Sequence, residues 1–159
     1  EMTSAGNLKL PAGNTIGIDF SAKTNLSGAT DTTLAHYEEG TWTPSMANLD
    51  VPGHVTLNWA TYTRVGRIVT ISVKFTVSSS INDASGFGFT IPFAQKASRQ
   101  MVMSALADRT GTQKQPICAF SQHAQSYFYL KTLEGYSYQD YNYFSGNTIW
   151  VSGSYESDA

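Results

Sequence analysis

The densest group of side chains suited to molecular recognition is an aromatic run near the C-terminus. Eight tyrosines and phenylalanines fall within residues 127–144, and in residues 135–143 tyrosine alternates with Ser, Gln, Asp and Asn. A tyrosine ring offers a flat apolar face with a hydroxyl at its rim, and amide and carboxylate neighbours add hydrogen bonds. Sugar rings match this mixture, although packing in a core or between subunits would use the same rings. The residues predicted to contact a glycan are Tyr136, Tyr138, Asp140, Tyr141 and Tyr143.

Paired carboxylates are the next chemistry to consider, because cleavage of a glycan needs two of them about 5–10 Å apart. Glu38 and Glu39 are adjacent, so their side chains diverge in a strand or a helix. Glu134 lies just before the tyrosine-rich segment and Asp140 lies within it, so the two could approach each other and are the better pair. The sequence has no Gly-x-Ser-x-Gly elbow and no phosphate-binding Gly-x-x-x-x-Gly-Lys loop. We therefore expect a protein that is not an enzyme, although a Ser-His-Asp site assembled in space stays open.

Metal ligation and thiol chemistry have little support in the sequence. His36, His54 and His123 are far apart, and none has a cysteine or carboxylate at a recognisable ligand spacing. The single cysteine, Cys118, lies in an apolar stretch, residues 116–120, and is predicted to be a small core residue. No metal and no cofactor are expected.

Charge and hydropathy limit the classes of partner. The formal net charge is −2, and the ten Lys and Arg residues are scattered, so no nucleic-acid surface is predicted. No apolar run reaches the ~20 residues of a membrane span, so neither membrane insertion nor a signal peptide is expected. Only 14% of residues are charged, against ~25% in a typical domain. Such a surface is compatible with burial between copies of the chain.

The first 33 residues differ in composition from the rest and predict a stalk or collar. They are rich in glycine and asparagine and contain one strand candidate, residues 16–20, in which Ile16, Ile18 and Phe20 alternate. A strand this short needs neighbours to bury its apolar face. Residues 34–159 then form the head domain. Its first residues, 34–39, favour a short helical turn that ends at Gly40.

The sequence of the head predicts a series of antiparallel strands. Residues 55–62 and 67–77 flank a turn at Gly66, which is the clearest hairpin signal in the sequence. In its second strand, valine, isoleucine and phenylalanine alternate with threonine, serine and lysine, as in a strand with one buried face. About eight such strands at this spacing predict an all-β antiparallel sandwich or barrel.

Four segments carry a resemblance to a known family. LAHYEEGTWTP (34–44), YTRVGRIVTI (62–71), IPF (91–93) and the closing WVSGSY (150–155) resemble, in order and spacing, the C-terminal heads of tail fibres and tailspikes of tailed bacteriophages. The resemblance covers about residues 16–156, and the Tyr-Glu-Glu-Gly-Thr-Trp-Thr-Pro element is its most specific part.

The resemblance implies a jelly-roll-like β-sandwich head that forms a homotrimer, caps a stalk in the virion beside other tail proteins, and binds host polysaccharide or lipopolysaccharide. Such heads are generally not catalytic. Glu38, Glu39 and Trp42 are then predicted to join the head to its stalk, with Trp42 buried and the glutamates paired or solvated near the threefold axis. A trimerisation or capsid-decoration module without its own ligand is the alternative, and a glycan hydrolase or esterase is the third possibility.

Overall fold

The regular structure of this protein is β-structure. The computed structural model describes residues 17–19, 33–35, 37–47, 53–78, 86–97, 99–109, 114–121, 126–132 and 142–158. The helical structure within these ranges is one 3-10 turn, Asn142–Phe144, and none of it is long and apolar enough to cross a bilayer. The strands are β1 Gly17–Asp19, β2 Thr33–Ala35, β3 Tyr37–Thr41, β4 Met46–Ala47, β5 Val55–Val65, β6 Ile68–Val77, β7 Gly88–Thr90, β8 Met101–Arg109, β9 Gln115–Ser121, β10 Tyr127–Thr132 and β11 Asn147–Glu156. The predicted all-β class is confirmed.

These strands form two antiparallel sheets. The small sheet pairs β1 with β2, which confirms a strand within residues 16–20. The large sheet has the order β3-β5-β6-β11-β8-β9-β10-β7-β4. The predicted hairpin is present as β5 and β6, whose connecting turn contains Gly66 at φ +60°, in the region that favours glycine.

The large sheet is one continuous, strongly curled sheet, a half-barrel. The rings of Phe75 in β6 and Phe89 in β7 are 5.3 Å apart. In a flat sheet, the five strand spacings between β6 and β7 would separate these residues by about 24 Å. The curl therefore brings the inner faces of distant strands into contact and encloses the core between them.

The chain itself joins the two edges of this sheet. β3 lies at one edge and β4 at the other, and only residues 42–45 connect them. Eight strand spacings would measure about 38 Å in a flat sheet, whereas the connection can span at most about 18 Å. The short connection therefore enforces the curl.

The enclosed core is apolar and rich in aromatic rings. Every second residue of β6 is buried, which confirms the alternation seen in the sequence. The rings of Phe87 and Phe144 meet edge to face at 5.5 Å, and that of Phe128 lies 6.0 Å from the ring of Tyr155. The largest fully buried side chains are Tyr155, Phe75, Phe87, Phe89, Phe128, Phe144, Ile71, Leu130, Ile149, Gln95 and Val69.

The structure corrects the expected helical turn and the expected core position of Cys118. Residues 37–41 form β3, which pairs with β5, so there is no helical turn over residues 34–39. Cys118 is not a core residue, because the buried side chains of β9 are its neighbours Ile117 and Ala119, on the opposite face. The thiol lies half-buried on the outer face, where partial burial raises its pKa.

Candidate functional site

Strand register places Tyr37 and Tyr143 at opposite ends of the large sheet. Tyr37, the first residue of β3, pairs with Val65 beside the β5–β6 turn. The last residue of β11, Glu156, pairs with Ile68 at this same end, which we call the proximal end. The tyrosine-rich segment leads into β11 from the other end, where Thr148 pairs with Thr76 near the end of β6. We call this the distal end.

One of the five residues predicted to contact a glycan is described by the structure. Tyr143 is 38% exposed at the distal end, and its hydroxyl donates to Gln115 Oε1 at 2.7 Å. Its ring packs edge to face against the buried ring of Phe144, at 5.0 Å. The orientation of the Tyr143 ring is therefore fixed by these two contacts, while part of its surface stays exposed. The other four, Tyr136, Tyr138, Asp140 and Tyr141, lie outside the described residues, as does Glu134.

A second group of aromatic side chains lies on the outer face of the sheet, in the half nearer the distal end. Lys74 pairs with Trp59 on one side and with Trp150 on the other, so all three side chains share one face. The Lys74 ammonium lies 4.9 Å from the ring centroid of Trp59 and 5.2 Å from that of Trp150. We call these three residues the Trp-Lys-Trp row. Trp59 is 43% exposed, so one indole face is open to a ligand.

A β-bulge creates this row. Leu57 packs toward the core opposite Phe75, and strict alternation would turn Trp59 to the same inner face. The register shifts between Leu57 and Trp59, which makes Asn58 an extra residue and turns Trp59 outward. Asn58 also stays outside, where its Oδ1 accepts a hydrogen bond from the Thr76 hydroxyl at 2.9 Å. The alternation of the sequence does not reveal this row, because strict alternation would place Trp59 on the inner face with Leu57.

Hydroxyl side chains follow the same outer face on the side of the row nearer the proximal end. Ser72, Ser152 and Ser104 stand opposite one another on three adjacent strands. Beyond them, the Thr70 and Ser154 hydroxyls hydrogen-bond to each other at 2.8 Å. An exposed indole beside small hydroxyls, an amide and a cation can stack on the CH face of a sugar and bond its substituents. The arrangement is suited to binding.

Acid–base and metal chemistry find less support in the described part of the chain. Asp108 is a carboxylate near the distal end, and it forms an ion pair with Lys114 Nζ at 3.9 Å. No group of three or more His, Cys, Asp and Glu side chains that could hold a metal ion occurs among the residues the structure describes.

Of the predicted junction residues, Glu38 and Glu39 lie in β3 and Trp42 follows its last residue. The Glu38 carboxylate accepts the Tyr62 hydroxyl at 2.9 Å, which raises the pKa of Tyr62. Glu39 accepts the Tyr37 hydroxyl, and this bond likewise raises the pKa of Tyr37. Each glutamate thus has a tyrosine hydroxyl as its partner.

Trp42 is half-buried rather than buried and bridges the two edges of the sheet. Its backbone N–H donates to the Ala60 carbonyl in β5 at 3.3 Å, and its indole N–H donates to the Thr90 carbonyl in β7 at 3.1 Å. The Thr90 N–H in turn donates to the Ser45 carbonyl at 2.9 Å. Trp42, which belongs to the Tyr-Glu-Glu-Gly-Thr-Trp-Thr-Pro element, therefore links the two sides of the half-barrel.

Comparisons with family models, with curated proteins and with solved structures found no match to this chain.

Proposed function

We propose that the chain is the head of a tail fibre or tailspike of a tailed bacteriophage, and that it binds a host surface polysaccharide or lipopolysaccharide during adsorption. In this proposal the half-barrel is one protomer of a jelly-roll-like homotrimeric head in the virion, held on a stalk by residues 1–33 beside other tail proteins. The observation that carries the proposal is the Trp-Lys-Trp row with its exposed Trp59 near the distal end, away from the point where the N-terminal segment leads into the head.

The geometry favours recognition at the distal half in two ways. Trp59 and Tyr143 are large apolar side chains that stay exposed there, and each is held by neighbours that fix its orientation. Aromatic rings held in this way contribute contact area with little loss of conformational entropy. Three copies on one fibre would also bind a repetitive polysaccharide with an avidity well above that of a single site.

The test is binding to an array of purified bacterial surface polysaccharides, both acidic and neutral. Wild type is expected to bind a subset, and Trp59→Ala is expected to weaken that binding by about tenfold or more, since loss of ~1.4 kcal/mol corresponds to tenfold. Phe120→Ala, which removes a half-buried ring on the same face outside the row, is the control and should bind as wild type does. Absence of binding to any polysaccharide by an assembled trimer would contradict the proposal.

A trimerisation or capsid-decoration module without its own ligand is the second candidate. Exposed apolar side chains at the proximal end favour contacts between copies. This candidate predicts that Trp59 becomes inaccessible in the assembled protein. Quenching of tryptophan fluorescence by acrylamide in wild type and in Trp59→Phe separates the two, because only an accessible Trp59 contributes a strongly quenched component.

A further inference from the structure

The proximal end carries an exposed apolar row. Tyr37 pairs with Val65, and Val65 pairs with Ile68, so the three side chains lie side by side on the outer face of β3, β5 and β6. They are 68%, 39% and 51% exposed, respectively. Large apolar side chains grouped in this way on a surface are typical of a contact with another molecule.

An open pocket lies next to this row. Its volume is about 360 Å³, and Ile68 forms part of its wall together with Met101 and Tyr155. The remaining lining residues are Arg99, Gln100, Ser154 and Glu156. The pocket therefore combines apolar walls with charged and polar groups.

Charged side chains cluster beside this pocket. The Glu156 carboxylate forms ion pairs with Lys96 Nζ at 2.7 Å, Arg99 Nε at 3.5 Å and Arg67 Nε at 3.7 Å. Three cations therefore share this one carboxylate, and the Arg67 and Arg99 side chains are 52% and 59% exposed. The Lys96 N–H also donates to the Glu156 carbonyl at 2.9 Å, which holds this segment against the end of β11. A partner of opposite charge would pair with the exposed guanidinium groups.

The proximal end of the sheet also carries a negatively charged group, which could pair with these arginines. Glu39 lies on the exposed face of β3, and its carboxylate accepts the Tyr37 hydroxyl. Tyr37 and Glu39 thus form an aromatic ring joined to an anion. Within one copy, Val65 lies between Tyr37 and Ile68, so the ring is separated from its own pocket.

We propose that the pocket bounded by Ile68, Met101 and Arg99 receives Tyr37 and Glu39 of a second copy of the chain. The Tyr37 ring lies against the apolar walls, and the Glu39 carboxylate pairs with Arg67 and Arg99. Because donor and acceptor surfaces differ, the contact is head-to-tail, and a ring of three copies uses it three times. The inference rests on the homotrimer of the proposed function and identifies its contact at the point where the stalk segment leads into the head.

Disulfide trapping tests the contact directly. Tyr37→Cys and Gln100→Cys are combined in a Cys118→Ser background, and the full chain is oxidised and run on a non-reducing gel. In one copy the two positions are separated by β5, β6 and β11, and a bond formed within one copy would leave a monomer on the gel. The expected result is covalent dimers and trimers. The pair Tyr37→Cys and Thr56→Cys, with the second thiol near the distal end, is the control and should stay monomeric on the gel.

A charge exchange provides a second readout. Glu39→Arg and Arg99→Glu are each expected to raise the protein concentration needed for the trimer by about tenfold or more, measured by light scattering after size exclusion. The double variant restores an opposite-charge pair and is expected to return to within about threefold of wild type. Both positions are exposed, so the fold should tolerate each change.

The outcomes separate this contact from the proposed function. A wild-type protein that stays monomeric at every concentration overturns both. Trimers that show neither cross-linking nor rescue overturn the contact and leave the proposed trimer standing. Stabilisation of wild type, but not of Arg99→Glu, by millimolar galacturonate without cross-linking would overturn the contact in favour of a pocket for a small anion.

Discussion

Trp42 shows how a single side chain fixes the shape of the sheet. Its indole donates to Thr90 near one edge while its backbone N–H donates to Ala60 near the other edge. Its ring also stands 6.5 Å from that of Tyr62 in an edge-to-face contact. The tryptophan of the Gly-Thr-Trp-Thr-Pro sequence therefore acts first on the closure of the fold, and through it on the surfaces at both ends.

We predict that Trp42→Phe lowers the free energy of unfolding by about 1–2 kcal/mol. Phenylalanine keeps most of the packing but leaves the Thr90 carbonyl without the indole N–H donor. Urea denaturation measures the change. Trp59→Phe, an exposed position whose indole lies outside the closure, serves as the matched control and should change stability by less than ~0.5 kcal/mol. Equal losses in the two variants would contradict this role of Trp42.

Tyr155 predicts a stability that decreases in alkali. Its hydroxyl donates to the Phe93 carbonyl at 3.0 Å and accepts the Phe93 N–H at 3.2 Å, and burial raises its pKa well above the ordinary value near 10. Because the folded-state pKa is the higher one, the stabilisation is complete below about pH 10 and is lost as the pH rises further.

Removal of that hydroxyl should change both stability and its pH dependence. Tyr155→Phe is predicted to cost about 1–3 kcal/mol at pH 7, since the Phe93 N–H and carbonyl lose their partner. The variant should also lose less stability than wild type between pH 9 and pH 11. Urea titrations at these pH values provide the measurement, and parallel losses in the two proteins would show that Tyr155 is not responsible.

At the scale of elements, β11 and β8 pack through one close approach. Gly153 lies on the inner side of β11, and a Cβ placed there would be 2.7 Å from Met103 Cγ and 3.3 Å from Met103 Cα. The Met103 side chain occupies the space that a larger residue at position 153 would need.

We predict that Gly153→Ala destabilises the protein by about 1–3 kcal/mol through overpacking. Ser152→Ala, on the opposite face of the same strand, is the control and should be close to neutral. In a Met103→Ala background the cost of Gly153→Ala should shrink in part, because the Cγ contact is removed while the Cβ of residue 103, 2.9 Å from the added methyl group, is kept. Additive effects of the two substitutions in denaturation experiments would contradict the overpacking argument.

The elements also show how far local sequence signals reach. The β5–β6 hairpin was predictable because Gly66 marks its turn and the alternation of β6 sets its buried face. The helical turn predicted over residues 34–39 is absent, because the local preference for a turn ending at Gly40 is outweighed by pairing of β3 with β5. The outward position of Trp59 depends on a bulge that leaves no distinct pattern in the sequence.

At the scale of the whole molecule, the half-barrel separates two surfaces. The large exposed apolar residues form two groups among the described residues, with Tyr37, Val65, Ile68 and Val102 in the proximal half and Trp59 and Tyr143 toward the distal end. This polarity suits a head that contacts its own copies near the stalk and a glycan away from it.

We predict that residues 34–159 alone fold cooperatively. All nine strands of the large sheet begin at Tyr37 or later, and the core residues lie in this range. Circular dichroism at 218 nm and tryptophan fluorescence should give coincident melting curves, with a temperature within a few degrees of the full chain at matched oligomeric state. A fragment without a cooperative transition would place the domain boundary before residue 34.

The sequence by itself determined the all-β class, the hairpin and the buried face of β6, because alternation and turn residues are local signals. It also pointed to Trp42 through its resemblance, and to Tyr143 through the tyrosine-rich segment. Neither the resemblance nor the tyrosine-rich pattern shows which residues these two side chains contact in the folded protein.

Only the tertiary structure decided which distant strands meet, because curling depends on closure by residues 42–45 and on packing between opposite inner faces. It likewise decided the Trp-Lys-Trp row, since Trp59 and Trp150 are 91 positions apart in the chain and meet only through their shared neighbour Lys74. Surfaces assembled from strands far apart in sequence have no local signal, and both proposed contacts of this protein are surfaces of that kind.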